Sequence, residues 1–110
     1  MGLTATYPAG KVGTTIANLK AAAMGENEEW STLYPEFARI AREEGFPKVA
    51  ATFDFISKAE IEHEYRYNKL ASNIENDIVF KRDEVVRWKC NKCGYVHEGN
   101  EAPEICPTCL

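Results

Sequence analysis

One stripe of seven residues limits what this chain can become. Val49, Phe53, Ile56, Glu60, His63, Tyr67 and Leu70 recur in alternating steps of four and three. That period is the narrow seam of a helix packed in a bundle or coiled coil. Glu60 and His63 sit in the middle of the seam, where neither is stable without a partner. A second helical stripe precedes it: Ile16, Leu19, Ala22, Glu26, Glu29, Leu33, Phe37 and Ile40. Glu26 and Glu29 interrupt it in the same way.

Local signals place the boundaries. Residues 1–13 carry Pro8, Gly10 and Gly13 with little periodicity and read as an extended lead-in. Thr14 or Thr15 caps a helix that starts near Ile16. Pro35 lies inside this helix, removes a backbone donor and is expected to kink it, at ~3 kcal/mol in an isolated helix. The apolar pattern continues beyond it, so one bent helix is expected to run to Gly45, a good C′ residue. Pro47 opens a second helix to about Ser72. Residues 14–75 therefore form a helical hairpin. Residues 76–87 read as a linker, with a short strand at IVF (78–80) and a solvated run KRDE at 81–84. Residues 88–110 are dense in Cys, Gly and Pro and form a separate unit.

A tight turn at Gly45 makes the two helices antiparallel. Glu29 lies 16 residues before Gly45 and Glu60 lies 15 after it, while Glu26 and His63 lie 19 before and 18 after. At ~1.5 Å rise per residue each pair meets at one level. A single polar residue on a seam is most simply a satisfied core group. Three carboxylates and an imidazole at matched heights ask for more, because burying like charges costs several kcal/mol each. Protonation relieves part of that cost, and a metal cation relieves all of it. Glu-x-x-His puts two ligands on one face, as in di-iron carboxylate bundles. This donor set suits iron or manganese better than zinc. Tyr34 reads equally as a core tyrosine or as a neighbour of the site. Trp30, Tyr65 and Tyr67 read as packing residues, and Glu62 and Glu64 as facing away from the seam.

The last segment, WKCNKCGYVHEGNEAPEICPTCL, spaces its cysteines as Cys90-x2-Cys93-x12-Cys106-x2-Cys109. Two such knuckles bring four thiolates into a tetrahedron. The metal is zinc, with a structural role only, or iron, which carries one electron. His97, between the knuckles, reads as a surface residue.

Composition excludes several classes. A net charge of −4 gives no basic surplus for nucleic acid and no polybasic tract for an anionic membrane. No apolar run approaches ~18 residues, the length of a membrane span. The first residues lack the basic and apolar regions of a signal peptide. Close cysteine pairs then fit metal ligation in a reducing cytoplasm.

The knuckle segment resembles rubredoxin in C-x-x-CGY, EG and APE-x-CP-x-C. The helical part resembles rubrerythrin in GENEEW (25–30), LYPEFA (33–38), EIEH (60–63) and TATYPAG (4–10). The resemblance implies a mainly α fold: an antiparallel hairpin that completes a ferritin-like four-helix bundle with a partner chain, plus a small rubredoxin-like metal domain with four cysteine ligands. It implies a cytoplasmic non-haem di-iron peroxidase that reduces hydrogen peroxide to water in oxidative-stress defence. Glu26, Glu29, Glu60 and His63 match the di-iron ligands, Tyr34 matches a tyrosine near the irons, and Cys90, Cys93, Cys106 and Cys109 match the FeS4 ligands. Zinc can substitute at either site. Electrons come from a separate NADH-dependent flavoprotein of the rubredoxin-reductase type.

The chain holds counterparts of the third and fourth helices of the family's bundle only. A two-helix hairpin leaves its apolar seam open. A homodimer sharing one di-iron site, or a complementing chain supplying two more helices, is expected. Two other readings are a ferroxidase that oxidises and holds iron, and a fragment acting only as a rubredoxin-type electron carrier. An iron store needs no attached electron inlet, which favours the peroxidase over the first of these.

Overall fold

A computed structural model describes residues 2–110, with residues 2–13 free of regular structure. Five elements follow, with a π-helical turn among them: α1 (Thr15–Glu28), the π turn (Glu29–Leu33), α2 (Tyr34–Glu43), α3 (Pro47–Glu75), β1 (Lys81–Lys89) and β2 (Val96–Glu101). The chain divides into two compact units between Ser72 and Asn73.

In the first unit, two long helical arms form an antiparallel hairpin. Thr14 is the cap: its Oγ1 accepts from the Ala17 backbone N–H at 3.1 Å. Asn18 adds a second tie, accepting from Gly13 N–H at 2.7 Å. At Pro35 the expected kink takes a particular form. The backbone widens into a π turn in which Tyr34 N–H donates to Glu29 O, five residues back. Pro35, which has no N–H to offer, then falls in the first turn of α2, where an intrahelical donor is not required.

The arm ends in a Schellman motif. Phe46 N–H donates to Ala41 O at 2.8 Å and Gly45 N–H to Arg42 O at 3.1 Å. Gly45 takes φ 84°, a conformation that disfavours a side chain. An Arg42–Asp54 ion pair ties the two arms near this turn. A second Schellman motif closes α3, with Ile78 N–H on Asn73 O and Asp77 at φ 53° in the glycine position. Asp tolerates that region better than most residues.

The core is made of small residues. Among the described residues the buried apolar ones are Ala23, Phe37, Ala38, Ala41, Ala50 and Ala71. The expected stripes are thus off by one position at several points. Ala23 is buried rather than Ala22, Ala41 rather than Ile40, and Ala50 and Ala71 rather than Val49 and Leu70, which are 39% and 49% exposed. Alanine lets the two backbones approach, and the π turn re-phases the face that follows it. The larger seam residues Phe53, Ile56 and Tyr67 are only half-buried, since one helix covers one flank of them. Met24 (74%), Phe55 (66%) and Tyr65 (64%) are open. A hairpin with so small a core needs a partner surface.

The second unit is a two-stranded antiparallel sheet joined to two cysteine turns. The pairing sets Val86 opposite Gly99, Trp88 opposite His97 and Lys89 opposite Val96, with an irregularity between Lys81 and Val86. Three expectations are corrected. IVF at 78–80 is not a strand, and KRDE at 81–84, read as linker, is the start of β1, though exposed as expected. An exposed edge with no apolar alternation carries no strand signal in sequence. His97 is half-buried beside Trp88 rather than at the surface, and Trp88 Nε1–H donates to Gly99 O at 2.9 Å.

Candidate metal centres

The cysteines come together as their spacing requires. One sulfur from each of Cys90, Cys93, Cys106 and Cys109 lies within 4.8 Å of the others. Cys90 and Cys109 are 3.8 Å apart, and Cys93 and Cys106 are 3.7 Å apart. Four sulfurs at about 2.3 Å from a central ion, at tetrahedral angles, stand about 3.8 Å from one another. The two close pairs match that spacing, and the four sulfurs together fit a site for one tetrahedral metal.

Each knuckle is built from its own backbone. Gly94 N–H donates to Cys90 O at 2.9 Å and Leu110 N–H to Cys106 O at 3.0 Å. The residue after each second cysteine is left-handed: Gly94 at φ 85° and Leu110 at φ 54°. Backbone N–H groups of Cys93 and Lys92 pull the Cys90 thiol down to about 6, and those of Cys109 and Thr108 lower Cys106. Burial, reinforced by the neighbouring sulfurs, pushes Cys109 up to about 12. Four sulfurs this close cannot all carry charge without a cation among them. The donor set suits a rubredoxin-type iron.

On the hairpin, Glu26, Glu60 and His63 bring one ligand atom each within 4.8 Å of the others. Glu26 comes from α1 and the other two from adjacent turns of α3. Glu60 Oε2 lies 2.6 Å from His63 Nδ1, and Glu26 Oε2 lies 3.6 Å from the same nitrogen. The two carboxylates are 12% and 17% exposed, whereas His63 is 42% exposed. Glu26 Oε2 is buried with no hydrogen-bond partner. Burial, and then the adjoining Glu60 carboxylate, push the Glu26 carboxyl up to about 7. An orphaned buried oxygen beside a second carboxylate and an imidazole is an arrangement a divalent cation would complete.

Glu29 is outside this three-residue group but close to it. Its carboxyl is raised, first by burial and then by Glu60. It opens the π turn, so its helical phase differs from that of Glu26. Tyr34 packs its ring on Phe53, centroids 5.9 Å apart, and beside Phe37 at 6.1 Å. Its hydroxyl is raised by burial and then by Glu29.

Two expectations fail here. Glu64 does not turn away, and Trp30 is more than a packing residue. Glu64 Oε1 accepts from Trp30 Nε1–H at 3.0 Å and from Asn27 Nδ2–H at 3.3 Å, joining the two arms. The available signal was Trp30 itself, because a half-buried indole N–H needs an acceptor.

The raised Glu26 carboxyl predicts an unusual pH dependence. Between its unfolded value of 4.5 and about 7, the folded chain holds a proton that the unfolded chain releases. This stabilisation is complete below 4.5 and is lost as pH rises through 7. Urea unfolding of the metal-free chain, followed by helical circular dichroism, is expected to show a higher midpoint at pH 5 than at pH 8. Glu26→Gln should flatten that slope; an equal slope in the variant would rule out Glu26 as its source.

A profile of the rubrerythrin family matches residues 2–71, and a profile described as "Rubrerythrin, rubredoxin-like domain" matches residues 88–110. The chain is 58% identical over 106 residues to Rubrerythrin-1 of Clostridium acetobutylicum, covering 96% of this chain and 54% of that protein. It is 56% identical over 108 residues to rubrerythrin of Clostridium perfringens, covering 98% and 55%. For rubrerythrin of Porphyromonas gingivalis the identity is 52% over 107 residues, covering 97% and 54%. The chain spans about half the length of the curated relatives it matches. With both its helical and its four-cysteine parts matched in order, the chain belongs to the rubrerythrin family.

Proposed function

We propose that this chain is the hairpin and electron-inlet half of a non-haem di-iron peroxidase that reduces hydrogen peroxide to water. One observation carries the reading: Glu26, Glu60 and His63 converge on the open seam of a hairpin that also bears a four-cysteine cage. A metal pair held by these carboxylates would supply the two electrons that, with two protons, turn peroxide into two waters, and an iron held by the four cysteines would replace them one at a time.

The chain's own residues prepare for that chemistry. Glu26 and Glu60 offer anionic oxygens that balance cationic charge, and Glu26 must first release its proton. His63 offers one ring nitrogen, while Glu60 beside it orients the imidazole. Glu29, at the start of the π turn, is proposed as a further carboxylate ligand, and Tyr34 as a hydroxyl held near the site by Phe53 and Phe37. Even with Glu29, four side chains are too few for two metals. We therefore assign the remaining ligands to a second copy of the hairpin across a twofold axis, or to a chain supplying the other two helices. A separate NADH-dependent flavoprotein of the rubredoxin-reductase type is the proposed electron source, in the cytoplasm. Among the described residues no helix is long and apolar enough to cross a membrane.

The test is iron per chain on protein prepared without air, together with its oxidation by peroxide. A shared di-iron pair plus one iron per cysteine cage gives about two irons per chain in a homodimer. About one iron per chain, spectroscopically bound to sulfur, would leave only the electron carrier. Oxidation by oxygen with retention of ferric iron and no peroxide turnover would favour the ferroxidase.

A further inference from the structure

Glu64 lies off the seam that carries Glu60 and His63, yet it reaches the other arm. Its Oε1 receives two N–H groups, from Trp30 at 3.0 Å and Asn27 at 3.3 Å. Asn27 is itself braced, its Oδ1 accepting from Ser31 Oγ at 3.5 Å. Each clamp residue directly follows a proposed ligand. Asn27 follows Glu26, Trp30 follows Glu29, and Glu64 follows His63. One helical step is about 100° of rotation and 1.5 Å of rise. The clamp therefore lies on the flank next to the ligands, at their own level.

Such a device answers a specific weakness of this hairpin. Among the described residues its buried core in this region is Ala23, and apolar contact is in any case non-directional. Trp30 belongs to the π turn, where the backbone departs from α-helical phase. The Arg42–Asp54 pair holds the arms near the Gly45 turn, well along the helices from Glu26. Hydrogen bonds to a carboxylate are strong and directional, and a slide of one helical turn, ~5.4 Å, would break both.

We propose that Glu64 is a positioning residue: through Trp30 and Asn27 it fixes the relative height and rotation of the two arms, so that Glu26, Glu29, Glu60 and His63 converge. The inference rests on the reading of those four residues as metal ligands.

The test uses the full chain with zinc in its cysteine cage, titrated with Mn²⁺, with free Mn²⁺ read by electron paramagnetic resonance. Glu64→Ala and Trp30→Phe are each expected to weaken Mn²⁺ binding on the order of 10-fold or more, as for other groups that orient metal ligands. The Trp30 indole N–H resonance should shift in Glu64→Ala, whereas that of Trp88, bonded to Gly99 O, should not. Asp54→Asn serves as the structural control. It replaces the ion pair near the turn by a weaker neutral hydrogen bond, lowers the helical melting temperature, and should leave Mn²⁺ affinity within about twofold, as for a distant site. Parent-like Mn²⁺ affinity in Glu64→Ala, or in Trp30→Phe should the first variant not fold, overturns the positioning role and leaves the metal reading intact. Failure of the parent chain to bind Mn²⁺ overturns both.

Discussion

Serine in place of Cys93 and Cys106 is expected to unfold residues 76–110 while the helical hairpin keeps its circular dichroism. The second unit contributes none of the buried apolar residues among those described; all six lie between Ala23 and Ala71. A unit of this size without a core folds only with a staple such as a metal. Metal bound by four such ligands is worth about 10–16 kcal/mol in small zinc modules at neutral pH. That exceeds what a two-stranded sheet can supply. The measurement is an amide spectrum of the metal-loaded variant. The Trp88 indole signal, set by its bond to Gly99 O, should collapse to the unfolded position, while the Trp30 signal should stay. A Trp88 signal unchanged from the parent would show that the sheet holds without its metal. Excess chelator on the parent chain should give the same collapse.

The second large effect is expected from His63→Ala and Glu60→Ala. Each removes one of the three side chains that converge among the described residues. On the function proposed above, iron should fall from about two per chain to about one, with the sulfur-bound iron spectrum untouched, and peroxide reduction should fall to background. The two variants are expected to differ in one respect. Glu60 is a cause, after burial, of the raised Glu26 carboxyl, through its adjoining carboxylate. Removing it should let Glu26 ionise more readily, and so remove part of the fall in metal-free stability towards pH 8. His63→Ala lacks that effect, because His63 acts on Glu26 in the opposite direction. Full iron content in both variants would mean that Glu60 and His63 hold no metal in this chain.

Much of this protein was legible in one dimension because its chemistry is locally encoded. Cys-x-x-Cys sets two sulfurs by the geometry of a single turn, and twelve intervening residues suffice to bring back the second pair. Glu60 and His63 share a face by helical period alone, and Gly45 sets the antiparallel return that brings Glu26 opposite His63. The caps read equally well, since Thr14 and Gly45 satisfy backbone groups within a few residues of themselves.

Other features depend on how distant segments meet. Pro35 announced a break in the helix, but whether the arm kinked or widened into a π turn was decided by the packing that keeps Phe37, Ala38 and Ala41 against α3. The choice of Ala50 over Val49 and Ala71 over Leu70 as buried positions follows from the closeness of the two backbones, which no periodicity reports. The strand that begins at KRDE is held by pairs made at its ends, Lys81 with Glu101 and Val86–Lys89 with Val96–Gly99, not by its own residues. Glu64 is the sharpest case. A charged residue off the apolar seam reads as solvated, and it becomes a clamp only where Trp30 and Asn27 arrive from 34 and 37 residues away. Spacing along one element settles which side chains share its face; contact between elements adds small changes of phase and approach, and these arise only once the chain has folded back on itself.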